Sequence, residues 1–346
     1  MFDGQAASDA SLLFVVGSDQ PDRLSVSGNK FRVGGSTDIY KLLGREQPHH
    51  RLQMTPNYFR QARRAELGGY RCILNLITEA EQNTKVLENL KKLVRGLPAK
   101  VINRPEAVLR STRDQVARQL SGIEGLHVPR AIRLRAAKPD VSMRAVEKAG
   151  LTYPVILREA GTHTGRIVGC FDTADDLMVG LEGDGDRIAT EFVDFKSSDG
   201  IYRKYRAFFI GRRIILRHML ASDHWNVHAK DRRRFMLAKR ELIDEERQLF
   251  ADPENAFPRE ISNVLQEVRK RIALDFFGMD FGIGPDGRVI LFEANATMNF
   301  FPFLQDPELA HVLRCGPLAE AAFRDLLGLP PRSPHREWEP NAPANA

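Results

Sequence analysis

The pattern of apolar and polar positions over the first hundred residues predicts a small α/β unit. Residues 12–16 (LLFVV), 72–77 (CILNLI) and 100–103 (KVIN) are apolar runs of strand length. Between the second and third runs, apolar residues recur every three or four positions, which is the spacing of an amphipathic helix. Since a strand, a helix and a strand in succession favour parallel pairing, we expect an N-terminal α/β domain over residues 1–105.

Residues 106–195 alternate short apolar runs with short amphipathic segments. Thr112 and Gln115 stand at capping-box spacing at the start of one such segment, and Thr173 precedes another. These patterns predict several short strands separated by short helices. We therefore expect this range to form a separate central lobe.

Residues 196–330 contain two β-hairpin patterns separated by a polar helical stretch and an amphipathic helix. The first hairpin turns at Gly211, and the second turns at 285–287 (PDG) before the strand VILFEAN. We expect a C-terminal lobe over this range. The proline-rich residues 331–346 have little apolar content and are predicted to be a disordered tail.

Composition places the chain among globular proteins. Of its 346 residues, 42% are hydrophobic and 28% are charged, which is enough apolar material for a sizeable core. No apolar run approaches the roughly 20 residues of a membrane-spanning helix, and the N-terminus lacks a signal-peptide pattern. Three widely spaced cysteines argue against a disulfide framework, so we expect a cytoplasmic protein that does not interact with membranes.

The net charge of +6 is small and mostly dispersed. One dense cluster, residues 230–240 (KDRRRFMLAKR), is either a solvated helix face or a docking surface for an anionic partner. Aromatic residues are not interleaved with a basic stripe, so no nucleic-acid partner is expected.

The strand VILFEAN carries the first candidate site. Glu293 and Asn295 are two residues apart, so they share one face of the strand, and Asp280 on the partner strand can lie near them. Two carboxylates beside a carboxamide oxygen suit Mg²⁺. The alternative is a set of polar groups that meet solvent where the strands end. Phe292, Ala294 and Ala296 are expected to point into the core between the ligands.

A second candidate site follows the apolar strand that ends at Arg158. Small residues in the next turn allow backbone N–H groups to approach an anion, and hydroxyl groups can add donors. An ordinary turn between strands is the alternative, because the segment matches neither of the common glycine-rich phosphate motifs. The candidate phosphate-binding residues of this turn are Gly161, Thr162, His163, Thr164 and Gly165.

Two further segments have candidate binding roles. Glu191, Phe192 and Val193 can offer backbone groups and an apolar side chain to an adenine ring, although any strand has these properties. In the first hairpin, Arg206 shares a strand face with Lys204 and an aromatic residue, and such an arginine favours a carboxylate or phosphate.

The exit of the same hairpin is rich in basic and polar side chains. A zinc site is one interpretation of its histidines, but the H-E-x-x-H glutamate and a clear third ligand are missing. Ordinary core or surface positions and substrate contacts are the other interpretations. The candidate substrate residues are Arg217, His218, His224, Asn226, His228 and Lys230.

The order of these features resembles the ATP-grasp superfamily, in particular the glutathione-synthetase-like branch that includes ligases adding glutamate to ribosomal proteins. The resemblance covers about residues 105–305, and "GMDFGI…VILFEANATMNF" is its most specific part. It implies an ATP-grasp fold, of α/β class with α+β lobes, preceded by a small α/β domain. It also implies that Arg158 replaces a lysine found in most of the family, and that the turn after it is less glycine-rich than usual.

The resemblance also implies roles for the candidate residues. Asp280, Glu293 and Asn295 would hold two Mg²⁺ ions, with Mn²⁺ as a substitute, that bridge the phosphates of ATP. Arg206 would face the terminal phosphate, with Arg158 assisting. The adenine contacts would come from Glu191, Phe192 and Val193, and the ribose contact from Asp199.

The implied activity is that of an ADP-forming ligase. A substrate carboxylate attacks the terminal phosphate to give an acyl phosphate, and an amine or related nucleophile displaces phosphate. The alternatives are a peptide-tailoring enzyme that activates a carboxylate on a peptide or protein, and a non-catalytic ATP-binding regulatory module. The expected partners are small-molecule or peptide carboxylates and amines, and homo-oligomerisation is left open.

Overall fold

The computed structural model describes most of the chain, in ten segments. Its helices are short or of medium length, and no helix among the residues described is long and apolar enough to cross a lipid bilayer. The described residues are 11–20, 24–27, 30–33, 39–43, 47–61, 64–135, 138–161, 166–301, 303–332 and 338.

The N-terminal domain is built on a parallel sheet with the strand order β4-β1-β5-β6. The apolar runs at 12–16, 72–77 and 100–103 form three of these strands, as predicted, whereas β4 was missed because its sequence, HRLQM, is polar and partly exposed at the sheet edge. In the sequence, a β2–β3 hairpin comes between β1 and β4. The elements are β1 (Leu12–Gly17), β2 (Leu24–Ser27), β3 (Lys30–Val33), β4 (His50–Met54), β5 (Cys72–Asn75), α1 (Thr84–Leu93), β6 (Lys100–Ile102) and α2 (Pro105–Leu109), with 3₁₀ turns at Ile39–Leu43 and Tyr58–Arg60.

The central lobe is an antiparallel sheet with the strand order β10-β9-β11-β8. Thr173 caps α5 as expected, because its hydroxyl accepts a hydrogen bond from the backbone of Asp176. The predicted capping box at Thr112 does not form, because the Thr112 hydroxyl donates to the Asp114 carboxylate and does not accept from the helix backbone. The elements are α3 (Arg113–Leu120), β7 (Leu126–His127), β8 (Ala131–Leu134), α4 (Pro139–Lys148), β9 (Val155–Glu159), β10 (Ile167–Phe171), α5 (Ala174–Gly180) and β11 (Arg187–Glu191).

The C-terminal lobe is a five-stranded sheet with the order β13-β12-β14-β15-β7. Both predicted hairpins are present, and the first turns at Gly211, whose φ is 58°. The amphipathic helix α7 buries Ile261, Val264, Leu265 and Val268 at helical spacing. The elements are β12 (Tyr202–Ile210), β13 (Arg213–Ser222), α6 (Arg240–Leu249), α7 (Arg259–Arg271), β14 (Phe276–Ile283), β15 (Val289–Asn295) and α8 (Cys315–Leu326), with a π-helical turn at Arg232–Met236 and a 3₁₀ segment at Pro307–Arg314.

Among the residues described, the buried apolar side chains form two clusters. The large one joins the N-terminal sheet to the five-stranded sheet, and a small one of nine buried residues lies in the central lobe. The three predicted domain boundaries stay predictions. The short strand β7 comes from the predicted central segment, yet it pairs with β15 of the C-terminal sheet.

Asn103 ties the end of β6 to the start of β14. Its φ is 51°, a left-handed conformation that asparagine tolerates better than most residues. Its side-chain oxygen accepts from the backbone of Asp275 and Phe276, each at 2.9 Å, and its amide donates to the Phe276 carbonyl at 2.7 Å. The N-terminal domain is thereby hydrogen-bonded to the central strand of the C-terminal sheet.

The C-terminal tail prediction falls largely outside the described residues. Trp338, which is described, has its ring 5.3 Å from that of Phe303 and stacks with Phe301 at 6.5 Å. The predicted disorder of 331–346 therefore stays a prediction, although two of its described residues, Arg332 and Trp338, contact the C-terminal lobe.

Gly278 on β14 allows residues after β15 to lie against the sheet. A Cβ at this position would lie 2.8 Å from both Cβ and Sδ of Met298. We expect Gly278→Ala to lower the free energy of unfolding by about 1–3 kcal/mol, as overpacked cores do. Urea unfolding measures this change.

Gly68→Ala is the matched control, because a Cβ there meets nothing within 4 Å. Its stability should stay within about 0.5 kcal/mol of wild type. Equal stabilities for wild type and Gly278→Ala would show that Met298 moves aside without cost.

Candidate functional site

Four side chains form one row across the C-terminal sheet. In the strand registers, His218 is opposite Arg206, Arg206 is opposite Asp280, and Asp280 is opposite Glu293. Directly opposed residues of antiparallel strands point to the same face. The predicted approach of Asp280 to Glu293 across the hairpin therefore occurs, and the predicted phosphate-facing arginine is its other neighbour.

Two β-bulges flank this row. Asp280 pairs with Glu293 but Phe281 pairs with Leu291, so Phe292 is an extra residue in β15. Bulges commonly redirect side chains next to functional sites. Ala294 and Ala296 are buried, as expected. Phe292 is only half-buried: it packs against the main core and also lines a large pocket.

Asp280 is the most buried acidic group of the row. Arg206 donates to its two oxygens from Nε and Nη2, at 2.6 and 2.8 Å, and the Lys204 ammonium lies 3.8 Å from Oδ2. Burial by itself raises the pKa of Asp280, but the charges of Arg206 and Lys204 outweigh it, so the pKa is lowered. Asp280 is thus an ionised carboxylate at neutral pH.

Glu293 and Asn295 continue the oxygen-rich surface. Glu293 Oε1 lies 3.2 Å from Arg113 Nη2 and accepts from Asn295 Nδ2 at 2.8 Å. The Asn295 oxygen accepts from the backbone of Thr297 at 2.9 Å. Arg113 also donates to the Phe292 carbonyl, so it is fixed against β15 at two points.

The donor set of these residues fits Mg²⁺. Two carboxylates and a carboxamide line one wall of the same pocket, and hard oxygen donors of this kind are the usual protein ligands of that ion. Among the residues described, no group of three or more His, Cys, Asp or Glu side chains could hold a metal. Asp280 and Glu293 are only two carboxylates, so an ion held by them and Asn295 would need phosphate oxygens and water to complete its coordination.

Two more cations face the pocket, Arg158 from β9 of the central lobe and Lys204 from β12 of the C-terminal sheet. Burial, and then the charge of Arg113, lower the pKa of Arg158 to about 10, against the opposing effect of Glu293. Burial also lowers the pKa of Lys204, against the effect of Asp280. The pocket thus disfavours these positive charges until an anion enters it.

The opposite end of the pocket is apolar and lies between the central and C-terminal lobes. Phe192 and Trp225 meet edge to face at 5.6 Å, and Phe195 contacts Phe292 at 4.7 Å. The Phe192 N–H donates to the Pro154 carbonyl at 3.0 Å. Within the described chain, the Val193 N–H has no hydrogen-bond partner, so this segment retains a donor for a ligand.

The whole pocket has a volume of about 520 Å³, which is the size range of ligand sites. It brings together most of the residues predicted for metal, phosphate and adenine binding. Of the predicted site residues, those that line it are Arg158, Glu191, Phe192, Val193, Arg206, Asn226, His228, Asp280, Glu293 and Asn295.

The N-terminal domain contributes the loop at residues 78–82. Glu79 is buried and lines the main pocket, and Glu81 forms an ion pair with Arg133 of the central lobe. The Gln82 amide donates to the Gly161 carbonyl. A smaller cavity of about 90 Å³ lies between this loop and the metal-ligand candidates. The N-terminal domain therefore closes one side of the site.

Several predicted site residues lie elsewhere. The predicted phosphate turn stays a prediction, because Thr162, His163, Thr164 and Gly165 are outside the described residues. Gly161, which is described, lines the smaller cavity. Asp199, the predicted ribose contact, does not line either cavity and pairs with Arg203 at 2.7 Å.

Four of the candidate substrate residues also lie away from the pocket lining: Arg217, His218, His224 and Lys230. Arg217 is buried, donates to the Phe300 carbonyl at 2.7 Å and lies over the Phe303 ring at 3.9 Å. Burial, with the charges of Arg206 and Arg217 next in effect, lowers the pKa of His218 well below its ordinary value. Arg217 thus joins the sheet to the segment after β15, and His218 is the end member of the row.

The basic cluster at 230–240 is largely engaged within the chain. Arg232 is buried against Glu246, and Arg234 pairs with Asp231 at 2.8 Å. The solvated-face interpretation therefore holds for only part of the cluster, because Arg232 belongs to the core.

Sequence reasoning missed Arg113, Glu79 and Trp225 as pocket residues and did not assign Lys204 a role. Arg113 and Glu293 are 180 positions apart, and no local pattern links them. For Lys204 a signal existed, since it shares a strand face with Arg206.

The structure is similar to several solved structures. A RiPP-associated ATP-grasp ligase from Chryseobacterium gregarium, in complex with ADP and a leader and core peptide, is 12% identical, with 92% of this chain and 96% of that chain covered and a TM-score of 0.50. The macrocyclase MdnC from Microcystis aeruginosa MRC, bound with precursor peptide MdnA, is 13% identical, with 92% and 99% covered and a TM-score of 0.51.

The VanG D-Ala:D-Ser ligase from Enterococcus faecalis is 11% identical, with 93% of this chain and 99% of that chain covered and a TM-score of 0.50. No family model matches the sequence, and no curated protein matches it. At these identities the likeness shows the fold. The chain has the ATP-grasp fold over more than nine tenths of its length, which confirms the predicted fold class.

Removal of Arg206 tests the electrostatics of the row. Because the folded-state pKa of Asp280 is lowered, its pairing stabilises the fold above the unfolded-state pKa, and this contribution disappears as pH falls through the folded-state pKa. We expect Arg206→Met to cost about 3–5 kcal/mol at pH 7, since it leaves a buried carboxylate without its main partner. Below about pH 4 the deficit should shrink as Asp280 becomes protonated.

Arg288→Met is the control, because Arg288 pairs with Asp286 at 2.6 Å in an exposed turn. It should cost less than about 1 kcal/mol at either pH. Urea unfolding at pH 7 and pH 3.5 measures both variants. A deficit for Arg206→Met that is independent of pH would contradict the charge-pairing explanation.

Proposed function

We propose that the chain is an ATP- and Mg²⁺-dependent ligase that joins a carboxylate to an amine or a related nucleophile. The reaction passes through an acyl phosphate and releases ADP and phosphate. The observation that carries this proposal is the row in which Arg206, Asp280 and Glu293 are adjacent in one pocket. A purely structural set of ion pairs would not require an open cavity beside it.

The two ends of the pocket suit the two ends of ATP. The aromatic end, with Phe192 and Trp225, suits an adenine ring, and the Val193 N–H is a donor for its edge. The charged end lies at Asp280 and Glu293. ATP placed along the pocket would therefore bring its terminal phosphate to the row.

The chain's own residues would position the phosphates and neutralise their charge. Arg206 and Arg158 both face the charged end, and phosphoryl transfer depends mainly on such positioning. Mg²⁺ held by Asp280, Glu293 and Asn295 would add Lewis-acid stabilisation of the transferring phosphoryl group.

An acyl phosphate hydrolyses readily, so the site must exclude water. The loop at 78–82 covers one side through its contacts with Arg133 and Gly161. The smaller cavity beneath this loop adjoins Glu293 and Asn295, where a second substrate would meet the activated carboxylate.

Both small molecules and peptides remain candidate substrates. Two of the similar structures were solved with peptides, and a third is a D-Ala:D-Ser ligase. The basic cluster gives limited support to an acidic-peptide surface, because Arg232 and Arg234 already have carboxylate partners.

The proposed activity is tested by ADP release from Mg-ATP with pooled amino acids, dipeptides, longer acidic peptides and amines, with products identified by mass. We expect one pool to stimulate ADP release. Asp280→Asn and Glu293→Ala should each lower the stimulated rate at least about 100-fold, because each removes charge that organises the phosphates.

Asp286→Asn, in the exposed turn of the same hairpin, is the control and should keep the wild-type rate. Circular dichroism checks that each variant is folded. Near-normal ADP release by either site variant would overturn the metal-site assignment. ATP binding without stimulation by any pool would favour the regulatory-module alternative.

Arg158→Lys tests whether the charge at this position is sufficient for nucleotide binding. Lysine keeps the charge and loses the planar fork, so we expect ATP affinity to stay within about tenfold of wild type. Isothermal titration calorimetry measures the affinity, with Arg158→Met as the charge-removing comparison. A loss of about 100-fold in the lysine variant would show that the guanidinium geometry itself is required.

A further inference from the structure

Lys204 lies next to the row but has no role in the site as described so far. It precedes Arg206 by two residues on β12, so the two side chains share a strand face. Its side chain is 18% exposed and lines the main pocket. A lysine so enclosed is uncommon, because side chains of this type are mostly exposed.

The ammonium of Lys204 has a carboxylate nearby but no hydrogen bond to it. Its nearest carboxylate oxygen, Asp280 Oδ2, is 3.8 Å away, which is beyond hydrogen-bond distance. Both oxygens of that carboxylate already accept from Arg206. Among the residues described, no hydrogen bond from the Lys204 ammonium is present.

The other acidic group of the row does not pair with Lys204 either. Glu293 is engaged by Arg113 at 3.2 Å and by Asn295 at 2.8 Å. The pocket lining as a whole is not short of carboxylates, because Glu79 and Glu191 also line it, as does Arg158. Among the residues described, the Lys204 ammonium nevertheless has no hydrogen-bonded carboxylate. Since an enclosed charge is costly without a close partner, this ammonium is placed to bind a further anion.

We infer that Lys204 binds the terminal phosphate of ATP beside Arg206, as a further phosphate-binding residue of the proposed site. This inference rests on the proposed function. The ammonium and the Arg206 guanidinium approach the same metal-ligand candidate, Asp280, so both can reach a phosphate held there. A compact ammonium that rotates its three donors suits a phosphate whose oxygens move during transfer.

The test compares the binding of ATP and ADP, each with Mg²⁺, by titration calorimetry of the full chain. Lys204→Met should weaken ATP binding about 10- to 100-fold, the effect of losing a hydrogen bond to a charged group. It should weaken ADP binding less than about threefold, because ADP lacks the terminal phosphate. Lys204→Arg should restore part of the ATP affinity.

Lys148→Met is the matched control, because Lys148 is exposed on α4 and does not line the pocket. It should leave both affinities unchanged. Lys204→Gln serves as a second variant if the methionine variant does not fold. Its affinity for ATP should likewise fall more than its affinity for ADP.

Three results would overturn the inference. One is unchanged ATP affinity in both neutral variants, and another is an equal loss for ATP and ADP. The third is unchanged nucleotide affinity with a higher KM for the carboxylate substrate, which would assign Lys204 to that substrate. A failure of the proposed function is distinguishable, because the wild-type chain would then bind neither nucleotide or would bind ATP without releasing ADP in any substrate pool. The comparison of ATP with ADP affinity in the Lys204 variants does not depend on turnover.

Discussion

The charge of Asp280 is the constraint on which the site depends. The residue lies in β14, the middle strand of a five-stranded sheet, and is almost fully buried. A buried carboxylate persists only with a closely placed cation, and the register of β12 supplies Arg206 directly opposite it. The same register on the other side supplies Glu293, so the strand pairing that stabilises the sheet also assembles the charged end of the pocket.

The bulges explain how a regular sheet makes room for these groups. In β13 the extra residue is Arg217, and in β15 it is Phe292. Arg217 turns to the carbonyl of Phe300 and fixes the segment after β15, whereas Phe292 turns toward the pocket. Each bulge interrupts the hydrogen-bond ladder of one strand pair beside the row. The irregular backbone therefore lies where side chains are redirected.

Much of the fold was predictable from local pattern. Apolar runs identified β1, β5 and both hairpins, and the two-residue spacing of Glu293 and Asn295 predicted a shared face. The polar edge strand β4 was missed because its side chains carry little hydrophobic signal. The two-residue β7 was missed because it is too short to have a period.

The site was predictable only where one strand or one hairpin contains the residues. Asp280 and Glu293 belong to one hairpin, so turn geometry relates them. Arg113 and Glu79 reach the pocket through tertiary packing across long stretches of chain, which no local periodicity encodes. Asp199 pairs with Arg203 outside the pocket lining, so its ribose role stays a prediction.

The division of the apolar core has a consequence for local stability. The N-terminal sheet and the C-terminal sheet share one large cluster and are joined further by Asn103, whereas the described part of the central lobe has a separate cluster of nine buried residues. Less buried apolar surface means a smaller free energy of local opening. Backbone amides of β9 and β10 should therefore exchange with solvent sooner than those of β14. The half of the pocket that carries Arg158 would then be the half that opens, while Asp280 and Glu293 stay on the rigid half.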